Sequence, residues 1–129
     1  MNLSLLEKDQ IIFKKSIALS QDQIACYLDA VGDKSTLFLD EAIVPPMAIL
    51  AQAMAEAMAA IKLPPGTVHT SQDLEVDHLA SVGASVECTC AINSNTLRSD
   101  IRFLVLEFKC TSASRDRIFV ARTTLAVTE

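Results

Sequence analysis

Tryptophan is absent from the chain, aromatic residues make up only 5% of it, and there are just three glycines and two histidines. So few glycines leave no Gly-rich loop to cradle phosphates, which excludes P-loop and dinucleotide-fingerprint nucleotide binding. Basic charge is also scarce, with 11 Lys and Arg against 16 Asp and Glu and a formal net charge of -5. Nucleic-acid binding needs clustered cations, as does residence on an anionic membrane, so neither partner is expected. The longest uncharged run, Ala42 to Ala55, is interrupted by Pro45 and Pro46 and falls short of the ~20 residues that span a bilayer. Glu7, Lys8 and Asp9 follow closely behind Met1, which does not fit a secretory leader. A cytoplasmic setting follows as the expectation, with Cys26, Cys88, Cys90 and Cys110 as reduced thiols.

What is present is a chain of 129 residues, half of them hydrophobic, enough for one domain with a real core. Residues 1–10 show no pattern and read as a loose lead-in to a single domain over 1–129. Ile11, Phe13, Ile17 and Leu19 suit a first strand, although Lys15 interrupts the apolar face. Ser20 with Gln23 matches a capping box, Ile24, Tyr27, Leu28 and Val31 follow at helical spacing, and Gly32 ends that helix. A polar loop is expected from Asp33 to Asp40.

The segment Pro46 to Lys62 reads as a long helix with Pro46 in its first turn. Met47, Leu50, Met54, Met58 and Ile61 form one apolar stripe. Seven alanines lie among them, and only Gln52 and Glu56 are polar. This composition predicts a helix covered on several sides, with the methionines as core or as the floor of an acyl tunnel. Pro64-Pro65-Gly66 stops it. Period-two alternation then predicts four antiparallel strands, through Val68–His78, Val86–Asn93, Leu104–Cys110 and Phe119–Val127. Asn93 to Asn95 and Ser112 to Asp116 supply turn residues. The alternation places His69 on the polar side of its strand and His78 on the other. One helix cannot cover both faces of such a sheet, so association through an edge or the helix layer is expected. The fold class is α+β, with a curved sheet around a central helix.

At this point the chain resembles the hotdog fold, and within it the MaoC-like dehydratases, especially a degenerate N-terminal type. The resemblance lies in Tyr27-Leu28-Asp29-Ala30-Val31-Gly32-Asp33, in Val44-Pro45-Pro46-Met47, and in Pro65 to Glu75 followed by Val82-Gly83. It implies an acyl-thioester protein akin to enoyl-CoA hydratases and 3-hydroxyacyl dehydratases. In that family an Asp and a His within Gly-Asp-x-Asn-Pro-x-His-x-Asp activate water and move protons. Here the segment reads Gly32-Asp33-Lys34-Ser35-Thr36-Leu37-Phe38-Leu39-Asp40, with Phe38 where the His would stand. A phenyl ring carries no proton, so two further readings stand beside a hydratase: a non-catalytic hotdog subunit that partners a catalytic dehydratase chain, and an acyl-CoA thioesterase.

The resemblance implies Asp33 and His69 as candidate acid–base residues. Pro46, Met47, Ala48, Leu50 and Met54 are the candidate acyl-thioester contacts. Each has a plainer explanation. Asp33 can close a turn after Gly32, and His69 can be a surface residue. His69, Asp73, Glu75 and Asp77 share a face in this reading, but they spread over roughly 20 Å of extended strand at ~3.3 Å per residue, too far for one metal shell. No metal and no cofactor are expected. The implied partners are an acyl-CoA or acyl-carrier thioester and a second hotdog chain, identical or different.

Overall fold

The computed structural model describes residues 2–128. A 3-10 turn, Leu3–Leu5, precedes strand β1 (Ile11–Ala18), helices α1 (Gln21–Ala30) and α2 (Leu37–Asp40), and strand β2 (Ile43–Val44). Helix α3 (Pro46–Ile61) follows, then β3 (Val68–Val76), β4 (Ala80–Ser81), β5 (Ser85–Arg98), β6 (Ile101–Thr111) and β7 (Arg117–Thr128). Five strands form one antiparallel sheet in the order β1-β5-β6-β7-β3, and β2 pairs with β4. The strand after the long helix therefore crosses to the far edge beside β7.

Local chemistry sets the ends of the helices. The Ser20 hydroxyl accepts from the Gln23 N–H at 3.3 Å, and the Gln23 side chain returns a bond to the Ser20 N–H at 3.3 Å. This reciprocal cap satisfies two donors that the first turn leaves open. At the other end Gly32 takes φ +75, with Gly32 N–H on Asp29 O and Asp33 N–H on Leu28 O. These bonds close α1 as a Schellman motif. Helix α3 begins on Pro46 and ends with Lys62 in the left-handed region.

The sheet-facing side of α3 is Ile49, Leu50, Ala53, Ala57 and Ile61, all buried. This corrects the methionine stripe: Met47 is 43% exposed, Met58 is exposed and Met54 is only half-buried. The helix is likewise not covered on several sides, since Ala51, Ala55, Met58 and Ala59 face outward. Small alanines let the helix axis approach the sheet, where Phe108, Leu104, Leu106 and Phe119 fill the space beneath it. Leu50 meets the requirement for a core residue at 1% exposure. Lys15 sits opposite Cys88 on this same inner face, and its ammonium reaches Glu56 of α3 at 2.6 Å. The apparent break in the apolar face of β1 is thus a tie to the helix.

Three further expectations change. Residues 33–40 include a helical turn, α2, where Thr36 Oγ1 donates to Asp40 Oδ2 at 2.7 Å. Asn93 to Asn95 lie within β5, because a bulge at Asn93 absorbs one residue between the Ile92–Leu106 and Ser94–Val105 pairs. The Asn95 amide instead donates to the carbonyls of Leu3 and Leu6. That is why the lead-in is held against the sheet, with Leu6 buried, rather than loose; Met1 lies outside the described residues.

Candidate functional site

The clearest site is a groove between α1 and α3 of about 470 Å³. Helix α3 contributes Ala48, Ala51, Gln52 and Ala55, which share one face at i, i+3, i+4 and i+7. Helix α1 contributes Asp22, Gln23, Cys26 and Tyr27. The walls are mostly methyl groups and the Tyr27 ring, with Asp22 and the Gln23 carboxamide at the α1 start and the Gln52 carboxamide on α3. Such a surface suits an alkyl chain, which gains by leaving water.

The groove lies beside the start of α3. Pro45 precedes the helix with ψ 127, and Ala48 N–H bonds Pro45 O at 2.9 Å. Pro46 has no N–H, and the Met47 N–H at the second helical position has no acceptor within the helix. A carbonyl oxygen arriving there meets a free donor at the positive end of the helix dipole.

Of the five residues expected to contact substrate, only Ala48 lines the groove. Pro46 and Met47 form the first turn beside it. Leu50 points into the core, and Met54 packs against that core from its edge. Sequence reasoning missed Cys26, Tyr27, Ala51, Gln52 and Ala55. The signal for the α3 members was present, because Gln52 and the alanines mark the face opposite the buried stripe. The α1 members depend on how two helices sit against each other, which no local pattern encodes.

Asp33 and His69 are not among the groove-lining residues. The Asp33 carboxylate accepts the Ser35 N–H at 2.9 Å, an Asx turn that carries the chain into α2. Phe38, on α2, is partly buried and packs against the hydrophobic core. His69 is exposed, with its Nε2 3.1 Å from Ser71 O. Its face differs from the expected one. A bulge between His69 and Ser71 sets His69 opposite the buried Leu125, on the helix side of the sheet, while Ser71 and Asp73 face outward. His78 lies beyond the end of β3, and its Nδ1 is 2.9 Å from Arg117 O. The carbonyl can only accept, so Nδ1 carries the proton.

The thiols divide in the same way. Cys26 is exposed in the groove, whereas Cys88, Cys90 and Cys110 are buried beneath α3. Burial pushes the Cys90 thiol up to about 12. Cys110 is pushed up by its hydrogen bond to Cys88, directly across the β5–β6 pair, and by burial. Cys90 and Cys110 stay protonated and act as small apolar side chains, while the hydrogen bond from Cys110 draws the Cys88 thiol down. Among the described residues no cluster of three or more His, Cys, Asp or Glu is placed to hold a metal ion, and no helix is long and apolar enough to cross a membrane.

With the architecture in view, comparison with solved structures is informative. R-hydratase PhaJ1 from Pseudomonas aeruginosa superposes with a TM-score of 0.76 at 18% identity, covering 98% of this chain and 86% of that one. A MaoC-like dehydratase from Rhodospirillum rubrum gives 0.75 at 10% identity, over 100% and 97%. The C-terminally truncated HadBC (3R-hydroxyacyl-ACP dehydratase) complex from Mycobacterium tuberculosis gives 0.72 at 15% identity, over 95% and 99%. The chain has the hotdog fold. No protein-family model and no curated protein sequence matches it. Within the hotdog fold of this chain, the central helix is α3, and the groove lies beside its first turns.

Proposed function

We propose that this chain is an acyl-thioester-binding hotdog subunit without hydratase chemistry of its own, acting beside a catalytic hotdog chain. One observation supports the reading: Phe38, which takes the histidine's place in the sequence resemblance to MaoC-like dehydratases, is packed against the core from α2. Hydration of an enoyl thioester needs a base for water and an acid for the α-carbon, and neither a phenyl ring nor a turn-closing Asp33 supplies the pair. His69 sits on an edge strand and does not line the groove, so it does not stand in for the missing imidazole.

What the chain retains is binding. The α1–α3 groove takes the acyl chain against Ala48, Ala51 and Ala55, and the Met47 N–H at the head of α3 receives the thioester oxygen. The name of the HadBC complex describes a dehydratase built as a complex, which is the arrangement proposed for this chain and its partner. Purified chain is assayed with an enoyl-CoA for loss of the conjugated double bond, and in parallel for acyl-CoA binding by calorimetry. Binding with turnover at background is the expected result. Hydration abolished by Asp33→Asn would restore the hydratase reading, and release of free thiol from a saturated acyl-CoA would favour the thioesterase.

A further inference from the structure

The α1–α3 groove is not uniformly greasy. Gln52 is the one polar side chain that α3 gives it, one helical turn on from the buried Ala48 and flanked by Ala51 and Ala55. Tyr27 lines the groove from α1. Both side chains are half-buried, and neither has a hydrogen-bond partner among the described residues. No fully buried side-chain nitrogen or oxygen among those residues lacks a partner, so the polar atoms of Gln52 and Tyr27 are open to water.

Other half-buried carboxamides show the contrast. Gln72 accepts from the Thr123 hydroxyl at 2.6 Å and donates to Arg122 O at 3.1 Å. Asn95 donates to the carbonyls of Leu3 and Leu6 and accepts from Arg102. Those amides hold the fold together, whereas the Gln52 amide holds nothing. A plain alkyl chain laid along the groove would strip the water from Gln52 and Tyr27 and return no hydrogen bond. A polar group left unpaired in that way offsets much of what the methyl contacts gain.

The position of Gln52 along the helix says where on the chain a partner belongs. A rise of ~1.5 Å per residue sets Gln52 roughly 7.5 Å along the axis from Met47. With the thioester oxygen on the Met47 N–H, that distance lies several carbons down an extended chain, well past the carbons next to the thioester. The charge of the groove says what the partner is not. Asp22 lines it without an ion-pair partner among the described residues, and no lysine or arginine lines it, so a carboxylate on the chain would be repelled.

We propose that the groove selects a medium-length acyl thioester carrying a hydroxyl in the middle of its chain, and that Gln52, aided by Tyr27, recognises that hydroxyl. The inference rests on the acyl-thioester reading and adds the substituent. A hydroxyl donates and accepts, as do a carboxamide and a phenol, so it replaces the displaced water on either side chain.

The test is calorimetric titration of the full chain with octanoyl-CoA, 3-hydroxyoctanoyl-CoA, 6-hydroxyoctanoyl-CoA and the carboxylate-ended suberyl-CoA. The parent should bind 6-hydroxyoctanoyl-CoA about tenfold more tightly than octanoyl-CoA, with no such gain from the 3-hydroxyl and with suberyl-CoA weakest. Gln52→Leu should erase the preference and tighten octanoyl-CoA, because methyl groups then meet the chain where the amide stood. Tyr27→Phe should remove part of the preference at an unchanged melting temperature. Should Gln52→Leu not fold, Gln52→Met keeps the side-chain length and removes the hydrogen bonds. Equal binding of octanoyl-CoA and 6-hydroxyoctanoyl-CoA by the parent, a preference for the 3-hydroxyl alone, or a preference that survives loss of the Gln52 amide would each overturn the proposal. If no acyl-CoA binds, the acyl-thioester reading fails, and 4-octanol followed by ligand-detected NMR separates the two ideas. Binding of 4-octanol that is lost with the Gln52 amide keeps the hydroxyl-recognising groove. No binding, or binding indifferent to Gln52, overturns it as well.

Discussion

The two sides of α3 use the same residue type for opposite ends. On the sheet side Ala53 and Ala57 are fully buried beside Ile49, Leu50 and Ile61, and their small size brings the helix down onto Phe108 and Leu106. On the other side the exposed Ala51 and Ala55 leave an open groove against α1, with the buried Ala48 at its floor. Alanine on the inside closes a gap, and alanine on the outside keeps one open. The difference shows how a helix of almost uniform composition divides into a face that supports the fold and a face free to change with the ligand.

The sharpest way to break this comparison is to change adjacent residues on opposite faces. Leu50→Ala removes a fully buried side chain and should cost about 2–5 kcal/mol of stability, read as a fall in the denaturation midpoint. Ala51→Leu, next in sequence, adds bulk at an exposed position and should move stability by no more than about 0.5 kcal/mol. The same change narrows the groove and should weaken acyl-CoA binding about tenfold, roughly 1.4 kcal/mol. If Ala51→Leu bound acyl-CoA as well as the parent, the groove would not be the acyl site. If Leu50→Ala left the midpoint unmoved, the two faces would have been misassigned.

Much of this arrangement was legible because its causes are local. Ser20 and Gln23 cap a helix through bonds three residues apart, and Gly32 ends it by its own backbone freedom. The alternation through Leu104, Leu106, Phe108 and Cys110 directly records one buried face. The parts that were not legible have distant causes. Methionine and alanine are both apolar, so the pattern of α3 does not say which stripe the sheet takes; that depends on how closely Phe108 and Phe119 let the helix approach. The bulges at Thr70 and Asn93 each shift a register by one residue, which moved His69 to the other face and kept Asn95 inside a strand. The site was half-visible for the same reason. Ala48 and the first turn of α3 follow from Pro45-Pro46, whereas Cys26 and Tyr27 acquire meaning only once α1 is placed against α3.

A smaller effect sharpens the comparison at the mouth of the groove. Ser20 holds the first turn of α1, and Asp22 and Gln23 in that turn line the groove. Ser20→Ala should cost about 1 kcal/mol, measured by denaturation. Fraying of this turn should also reduce acyl-CoA affinity, although Ser20 itself lies outside the groove. A stability loss with unchanged affinity would mean that the α1 wall does not need its cap to bind.

The smallest effect belongs to the outer edge, far from both faces of α3. The Arg117 guanidinium hydrogen-bonds Asp77 and holds its carboxyl below the usual 3.8, with a smaller contribution from His78. A carboxylate lowered by folding contributes stability above its unfolded pKa, and that contribution fades as pH falls through the folded value. Here the fading belongs below about pH 4, from the ordinary carboxylate range downward. Both partners are open to solvent, so salt should screen most of the effect. Melting temperature followed from pH 7 to pH 3 at low ionic strength should fall more steeply in the parent than in Asp77→Asn, and the gap should shrink in concentrated salt. Curves of equal slope at low salt would show that this edge pair, unlike the buried side of α3, adds nothing to the fold and is a surface contact alone.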